Sequence, residues 1–173
     1  MRVRPLRGEP VALDLVDTVW VEHGQLADQF DDPEGVRAWL ADHALESEGG
    51  LERVRDGLVE TRAALREVLE GRRPDRLNAV LDRGGRRPKM RGGEPYELVV
   101  VDDPAWLPAW VAAADFVRMM GQRPERVRKC ANPQCVLWFL DVSKNGSRRW
   151  CSMEVCGNRA KVGRFNQRHK DAG

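Results

Sequence analysis

Four cysteines constrain this chain more than any other residues. They stand at Cys130, Cys135, Cys151 and Cys156, spaced Cys-x4-Cys-x15-Cys-x4-Cys, with none in the 129 residues before them. Two pairs of thiolates separated by a hairpin-length insert supply the donor set of a tetrahedral zinc site, with Zn–S distances of about 2.3 Å. The rival use of four cysteines, two disulfides, belongs to oxidising compartments. The N-terminal apolar stretch Val11–Val21 is broken by Asp14 and Asp17 and makes a poor secretory leader, so the expected location is the cytoplasm. Energetics point the same way. Chains below about 40 residues usually need a disulfide or a metal to fold, and structural zinc supplies on the order of 10–16 kcal/mol of apparent folding free energy. With all four ligands from the protein the site is closed, so the single Zn2+ expected here is structural rather than catalytic.

Between the cysteine pairs, Val136–Asp141 reads as a strand, Asn145-Gly146 as a turn, and Arg148–Trp150 as the returning strand. The second pair opens a helix from about Met153. Knuckle, β-hairpin and helix, with the last ligand in the first helical turn, make a treble-clef-like module. Trp138, Phe139 and Trp150 suit its core better than a base-stacking platform.

Charge divides where the cysteines begin. Residues 1–127 carry 19 Lys+Arg against 24 Asp+Glu, whereas residues 128–173 carry 10 against 3, a net +7. With Val155–Lys170 wound as a regular helix, Val155, Val162 and Phe165 share one face with His169 beside them. Gly157, Ala160, Lys161, Arg164 and Arg168 then line the opposite face, which could meet a phosphate backbone or enter a major groove. Lys144, Arg148 and Arg149 on the hairpin would extend that surface. A solvated basic face would use the same residues. Asn158 and Arg159 fall at the edge of the buried face, where they either brace the knuckle or touch a ligand.

The body reads as mostly helical. Val11, Leu15 and Val19 form a stripe after Pro10; Asp32-Pro33 opens a helix carrying Val36, Trp39 and Leu40. The longest helix runs from about Leu51 to Glu70, a shorter one from Pro74 to Asp82, and a broad apolar helix from Asp103-Pro104 to about Met120. Gly84–Glu94 reads as a basic, glycine-rich loop able to hold an anion, followed by a strand at Tyr96–Val101, and Gly121–Pro124 as a linker. Trp20, Trp39, Trp106 and Trp110 at helical spacing fit a core better than a ligand pocket. Asp14 and Asp17, i and i+3 on one helix face, could serve acid–base chemistry or a divalent metal, or be exposed carboxylates that favour the helix dipole. His23 and His43 have no partner at metal spacing. No nucleophile elbow, Walker loop or dinucleotide fingerprint occurs, so the chain does not read as an enzyme, and no apolar run approaches the ~18 residues that span a bilayer.

The tail resembles the CGNR zinc-finger family. The matching residues are Cys130-Ala131-Asn132-Pro133-Gln134-Cys135, Phe139-Leu140-Asp141, Ser143-Lys144-Asn145, Ser147-Arg148-Arg149-Trp150-Cys151-Ser152-Met153 and Cys156-Gly157-Asn158-Arg159-Ala160-Lys161. In that family the finger closes proteins whose N-terminal part is the ABATE domain, a stress-induced transcription regulator. The body resembles that domain through Ala12-Leu13-Asp14-Leu15-Val16-Asp17-Thr18, although relatives often carry Asn at the position of Asp17. The resemblance implies a bacterial regulator of α+β class. A mostly helical ABATE-like domain with a small β-sheet, residues 1–123, would sense a small molecule or form a homodimer. The zinc finger, residues 124–173, would contact double-stranded DNA through Lys144, Arg148, Arg149, Arg159, Lys161, Arg164 and Arg168. An RNA-binding or ribosome-associated finger, and a ligand-binding body whose finger is only a structural or protein-docking clip, remain as alternatives.

Overall fold

We describe residues 4–158 of a computed structural model of the chain. The elements run α1 (Val11–Val16), β1 (Val19–Glu22), β2 (Gln25–Asp28), α2 (Pro33–Asp42), α3 (Leu51–Leu69), α4 (Asp75–Leu81), β3 (Gly84–Arg91), β4 (Glu94–Val101), α5 (Leu107–Gln122), β5 (Val127–Lys129) and β6 (Trp138–Leu140). A single wide helical turn, Met153–Gly157, follows. The class is α+β: packed helices accompanied by three separate two-stranded antiparallel sheets, β1–β2, β3–β4 and β5–β6.

The helices start where local chemistry predicts. Asp32 accepts the Glu34 amide at 2.9 Å ahead of Pro33, and Asp103 accepts the Ala105 amide at 3.0 Å ahead of the short turn that leads into α5. α1, α3 and α5 pack on one another, with α2 and α4 against α3. Their apolar faces bury Leu13, Leu15, Trp39, Leu58, Leu65 and Phe116 in one core.

Three expectations for the body change. The helical stripe stops at Val16, and Val19 belongs to a strand; β-branched and aromatic residues at 18–21 favour extension, and the two-residue turn His23-Gly24, with φ of +49° and +81°, folds the chain back on itself. Gly84–Glu94 is not a loop but the first strand of a hairpin that turns at Gly92-Gly93, with Gly84 opposite Val101 and Arg91 opposite Glu94. Gly121–Pro124 is no loose linker, because α5 continues to Gln122 and a short helical turn at Pro124–Arg126 delivers the chain directly into β5.

A second, smaller core joins the body to the cysteine region. Trp20 and Ala27 from the β1–β2 hairpin lie with Leu137, Phe139 and the buried Cys130, Cys151 and Cys156, flanked by Leu6 and Trp150.

Candidate metal centre and its seat on the body

The first pair of cysteines brackets a tight turn between β5 and β6. Cys130 donates its amide to Leu137 O at 2.9 Å, and Cys135 donates its amide to Asn132 O at 2.9 Å. The strand that pairs with β6 is therefore β5, with Arg128 opposite Phe139, and Arg148–Trp150 is not a strand. The knuckle itself is the hairpin turn. The segment beyond β6 is shaped instead by Asp141, whose carboxylate accepts the Ser143 amide at 2.9 Å and the Arg148 amide at 3.0 Å. Hydrogen bonds from Ser143 hold that carboxyl below its usual range.

The return places Cys151 and Cys156 beside the knuckle. The four Sγ atoms all lie within 4.8 Å of one another, with Cys135–Cys151 at 3.8 Å and Cys151–Cys156 at 3.6 Å. A tetrahedron with Zn–S of about 2.3 Å has edges of about 3.8 Å, whereas a disulfide brings sulfurs to about 2.05 Å. All four cysteines are unbridged, so the observed separations suit a shared metal. The donors are supported as a metal site requires: Cys130 Sγ accepts the Cys151 amide at 3.4 Å, and Asn132 Nδ2 donates to Cys156 Sγ at 3.5 Å. Thiols this crowded cannot all ionise unaided. Hydrogen bonds from Cys135 and Cys151 pull Cys130 down to about 2, while the same contact pushes Cys135 up to about 12 and Cys151 is raised as well. One divalent cation resolves that competition. The four cysteines can hold one zinc ion, and with four thiolates it has no position left for substrate.

The metal-binding region is clamped to the body by two carboxylates: Glu9, which sequence reasoning missed, and Asp17, for which it offered other roles. The outer edge of β6, facing away from β5, offers two amides. Trp138 N donates to Asp17 Oδ1 at 3.0 Å, and Leu140 N donates to Glu9 Oε2 at 2.8 Å. Asp17 is almost fully buried, and its Oδ2 finds no partner among the described residues. Burial raises the Asp17 carboxyl well above its usual range, outweighing the Trp138 amide and nearby Arg66. Burial raises Glu9 too, against the Leu140 amide and Arg148.

Asp14 points elsewhere. It binds Arg4 and accepts a hydrogen bond from His43 Nε2 at 2.8 Å, and Arg4 also reaches Asp42 at 2.8 Å. Burial would raise Asp14, yet hydrogen bonds from His43 and Arg4 hold it below its ordinary value. Neither Asp14 nor Asp17 is an exposed helix-start carboxylate, and they do not converge on a common site. His43 packs against Trp39 with ring centroids 4.6 Å apart, and His23 is exposed at its turn.

Of the cations expected to meet nucleic acid, Lys144 and Arg149 are exposed, Arg149 lying 5.5 Å over the Trp150 ring. Arg148 faces inward. Its guanidinium donates to Trp150 O at 3.0 Å and Cys151 O at 2.5 Å, approaches Glu9 at 3.4 Å, and lies 4.3 Å over the Phe139 ring. It braces the region rather than presenting charge outward. Arg159, Lys161, Arg164 and Arg168 lie outside the described residues. The helix faces expected from uniform winding are reversed at their start: Gly157 is buried, and Val155 is exposed. The wide turn explains it, since Gly157 N reaches back five residues to Ser152 O at 3.0 Å. Asn158 donates to Glu154 O at 3.3 Å.

A cavity of about 630 Å³ opens between the β1–β2 hairpin and the cysteine cluster, lined by Trp20, His23, Asn132, Gln134, Cys135 and Val155 among others. Trp20 is thus both core and cavity wall. No described helix is long and apolar enough to cross a membrane.

Comparison with known families agrees with this construction. The model of the ABATE family, described as "Putative stress-induced transcription regulator", matches residues 9–123, and that of the CGNR zinc finger matches residues 126–169. No curated protein matches the chain. The residues that clamp β6, Glu9 and Asp17, fall within the first match, and the four thiols fall within the second. The chain belongs to the ABATE family and carries a CGNR zinc finger behind that domain.

Proposed function

We propose that this protein is a zinc-dependent, duplex-DNA-binding transcription regulator of bacterial type. The observation that carries the reading is a four-thiol site whose β6 strand is held on a helical body by buried carboxylates, in a stretch of sequence, residues 128–173, of net charge +7. A closed site holds shape and performs no chemistry, so the proposal is a binding protein rather than an enzyme. Lys144 and Arg149 are exposed and available for phosphate contacts. Arg159, Lys161, Arg164 and Arg168 follow in the sequence and supply further positive charge.

The same reading gives the body a sensing role. The cavity beside the cysteine cluster is within the ~300–1,000 Å³ typical of small-molecule sites and is walled by both regions. A metabolite bound there would contact Trp20 and the knuckle together and so bias how the finger sits on the body.

A binding selection tests the proposal: zinc-loaded full-length protein, random duplex DNA as input, and structured RNA as competitor. Enrichment of a defined duplex motif is the expected result, and a palindromic motif would accompany a homodimer. Failure to enrich any duplex, with retention of RNA, would reassign the finger to RNA.

A further inference from the structure

The β3–β4 hairpin stands apart from both cores. Only its base is anchored: Gly84 lies so close to Trp110 that a Cβ there would come within 2.9 Å of the indole, and Trp110 Nε1 donates to Leu81 O at 2.9 Å. Beyond Gly85 every β3 residue is exposed, and on β4 only Tyr96 and the last three residues are partly covered. Six residues of β3 past that base make an arm about 20 Å long at ~3.4 Å per residue. An isolated two-stranded ribbon is at best marginally stable in water, so the exposed stretch beyond the anchored base calls for a partner.

The register sorts the charges. Arg87, Lys89 and Arg91 alternate with Arg86, Pro88 and Met90, so the first three share a face with Leu98, Tyr96 and Glu94. The other face neutralises its cation, since Arg86 pairs with Glu97 at 3.0 Å. On the first face, Arg87 and Lys89 have no ion pair among the described residues, and Arg91 lies 4.7 Å over the Tyr96 ring. Three cations about 7 Å apart, beside an aromatic ring and an exposed Leu98, form a row of charge on a ribbon two strands wide. Pro88 on β3 and Pro95 on β4 remove an amide from each edge, which works against pairing with another strand.

We propose that the β3–β4 hairpin is a second DNA-binding element, a basic arm that lays Arg87, Lys89 and Arg91 into a groove of duplex DNA. The major groove of B-DNA, about 12 Å wide, admits a two-stranded ribbon, whereas the major groove of A-form RNA is too deep and narrow for side chains to read. Gly92 and Gly93, with φ of +56° and +87°, form a tip without side chains that can approach the groove floor. The arm rests on the duplex-DNA reading given above and extends it from the finger to the body.

The test uses full-length, zinc-loaded protein and duplex DNA titrated over salt. The variants are Arg87→Gln/Lys89→Gln, which keeps the Arg91–Tyr96 stack, and the triple variant with Arg91→Gln added. Zinc content and thermal midpoint, read on the same samples, establish that both are folded. The triple variant should bind at least tenfold more weakly, and the slope of log K against log salt should become shallower by about 0.9 for each cation removed. Wild-type binding with an unchanged slope in the folded double variant would overturn the arm and leave the finger reading intact. Failure of the wild type to bind duplex DNA would overturn both. Retention of structured RNA or anionic vesicles, lost in the triple variant, would give the arm a different partner and overturn the assignment to DNA.

Discussion

Asp17 gives one oxygen to the Trp138 amide, and its other oxygen is buried with no hydrogen-bond partner among the described residues. Asn at this position keeps an acceptor and removes the ionisable group. Asp17→Ala leaves the buried Trp138 amide unsatisfied and should cost about 1–3 kcal/mol, read as a lowered denaturation midpoint. The pH dependence has a defined sign. A carboxyl raised on folding contributes its stability below the unfolded value, and that contribution is lost as pH climbs through the raised folded value. Wild type should therefore lose stability relative to Asp17→Asn as pH rises from about 4; parallel thermal scans from pH 4 to 8 check this, and a constant gap would contradict it. Cys151→Ser removes a sulfur that lies 3.8 Å from Cys135 Sγ and 3.6 Å from Cys156 Sγ. It should abolish stoichiometric zinc, measured by metal analysis of the purified protein. At this scale the cysteines were legible because four thiols at paired spacing have few uses. Glu9 and Asp17 were not: what they bind is backbone amide more than 120 residues away, and an amide donor leaves no trace in residue type.

Among the elements, α3 was legible to within a residue because its apolar rungs repeat every three to four positions over five turns. The hairpins were harder. Arg86, Arg87, Pro88, Lys89 and four glycines resemble a loop when apolar alternation is the cue, yet β3 needs no buried face and only the β4 ladder as its partner. Asn145-Gly146 is a hairpin turn signal, but Asp141 takes the Arg148 amide and draws the chain into a capped loop, so β6 pairs backward across the knuckle. The β1–β2 hairpin reaches the metal region beside the Glu9 and Asp17 clamp, and Trp20 is its contact residue. Trp20→Ala should remove about 3–5 kcal/mol of packing at a residue that is not itself a metal ligand but packs beside three of them. Zinc transfer to a chromophoric chelator should accelerate in this variant; an unaltered transfer rate would mean that the two regions are energetically independent.

Across the whole molecule, two cores share one chain without a slack linker. The helical core is built by the body, with Val127, Trp138 and Leu140 of β5 and β6 packed against it rather than in a core of the finger's own, while the second forms where Trp20 and Ala27 meet Leu137, Phe139 and the cysteines. Chelation should consequently lower the thermal midpoint of the body as well, followed by far-ultraviolet circular dichroism of its helices. A helical transition indifferent to zinc would contradict the shared core. The division of charge along the chain was visible in its composition; the seating of one region on the other was not, because it depends on contacts between residues near positions 9–27 and 137–156. The most direct measurement is equilibrium binding of duplex DNA by the same protein sample as zinc is removed and restored, repeated over a range of salt. Affinity should disappear with the metal, return with it, and fall linearly with log salt by about 0.9 per phosphate neutralised. Undiminished affinity after complete zinc removal, or a flat response to salt, would contradict a zinc-ordered, DNA-binding finger.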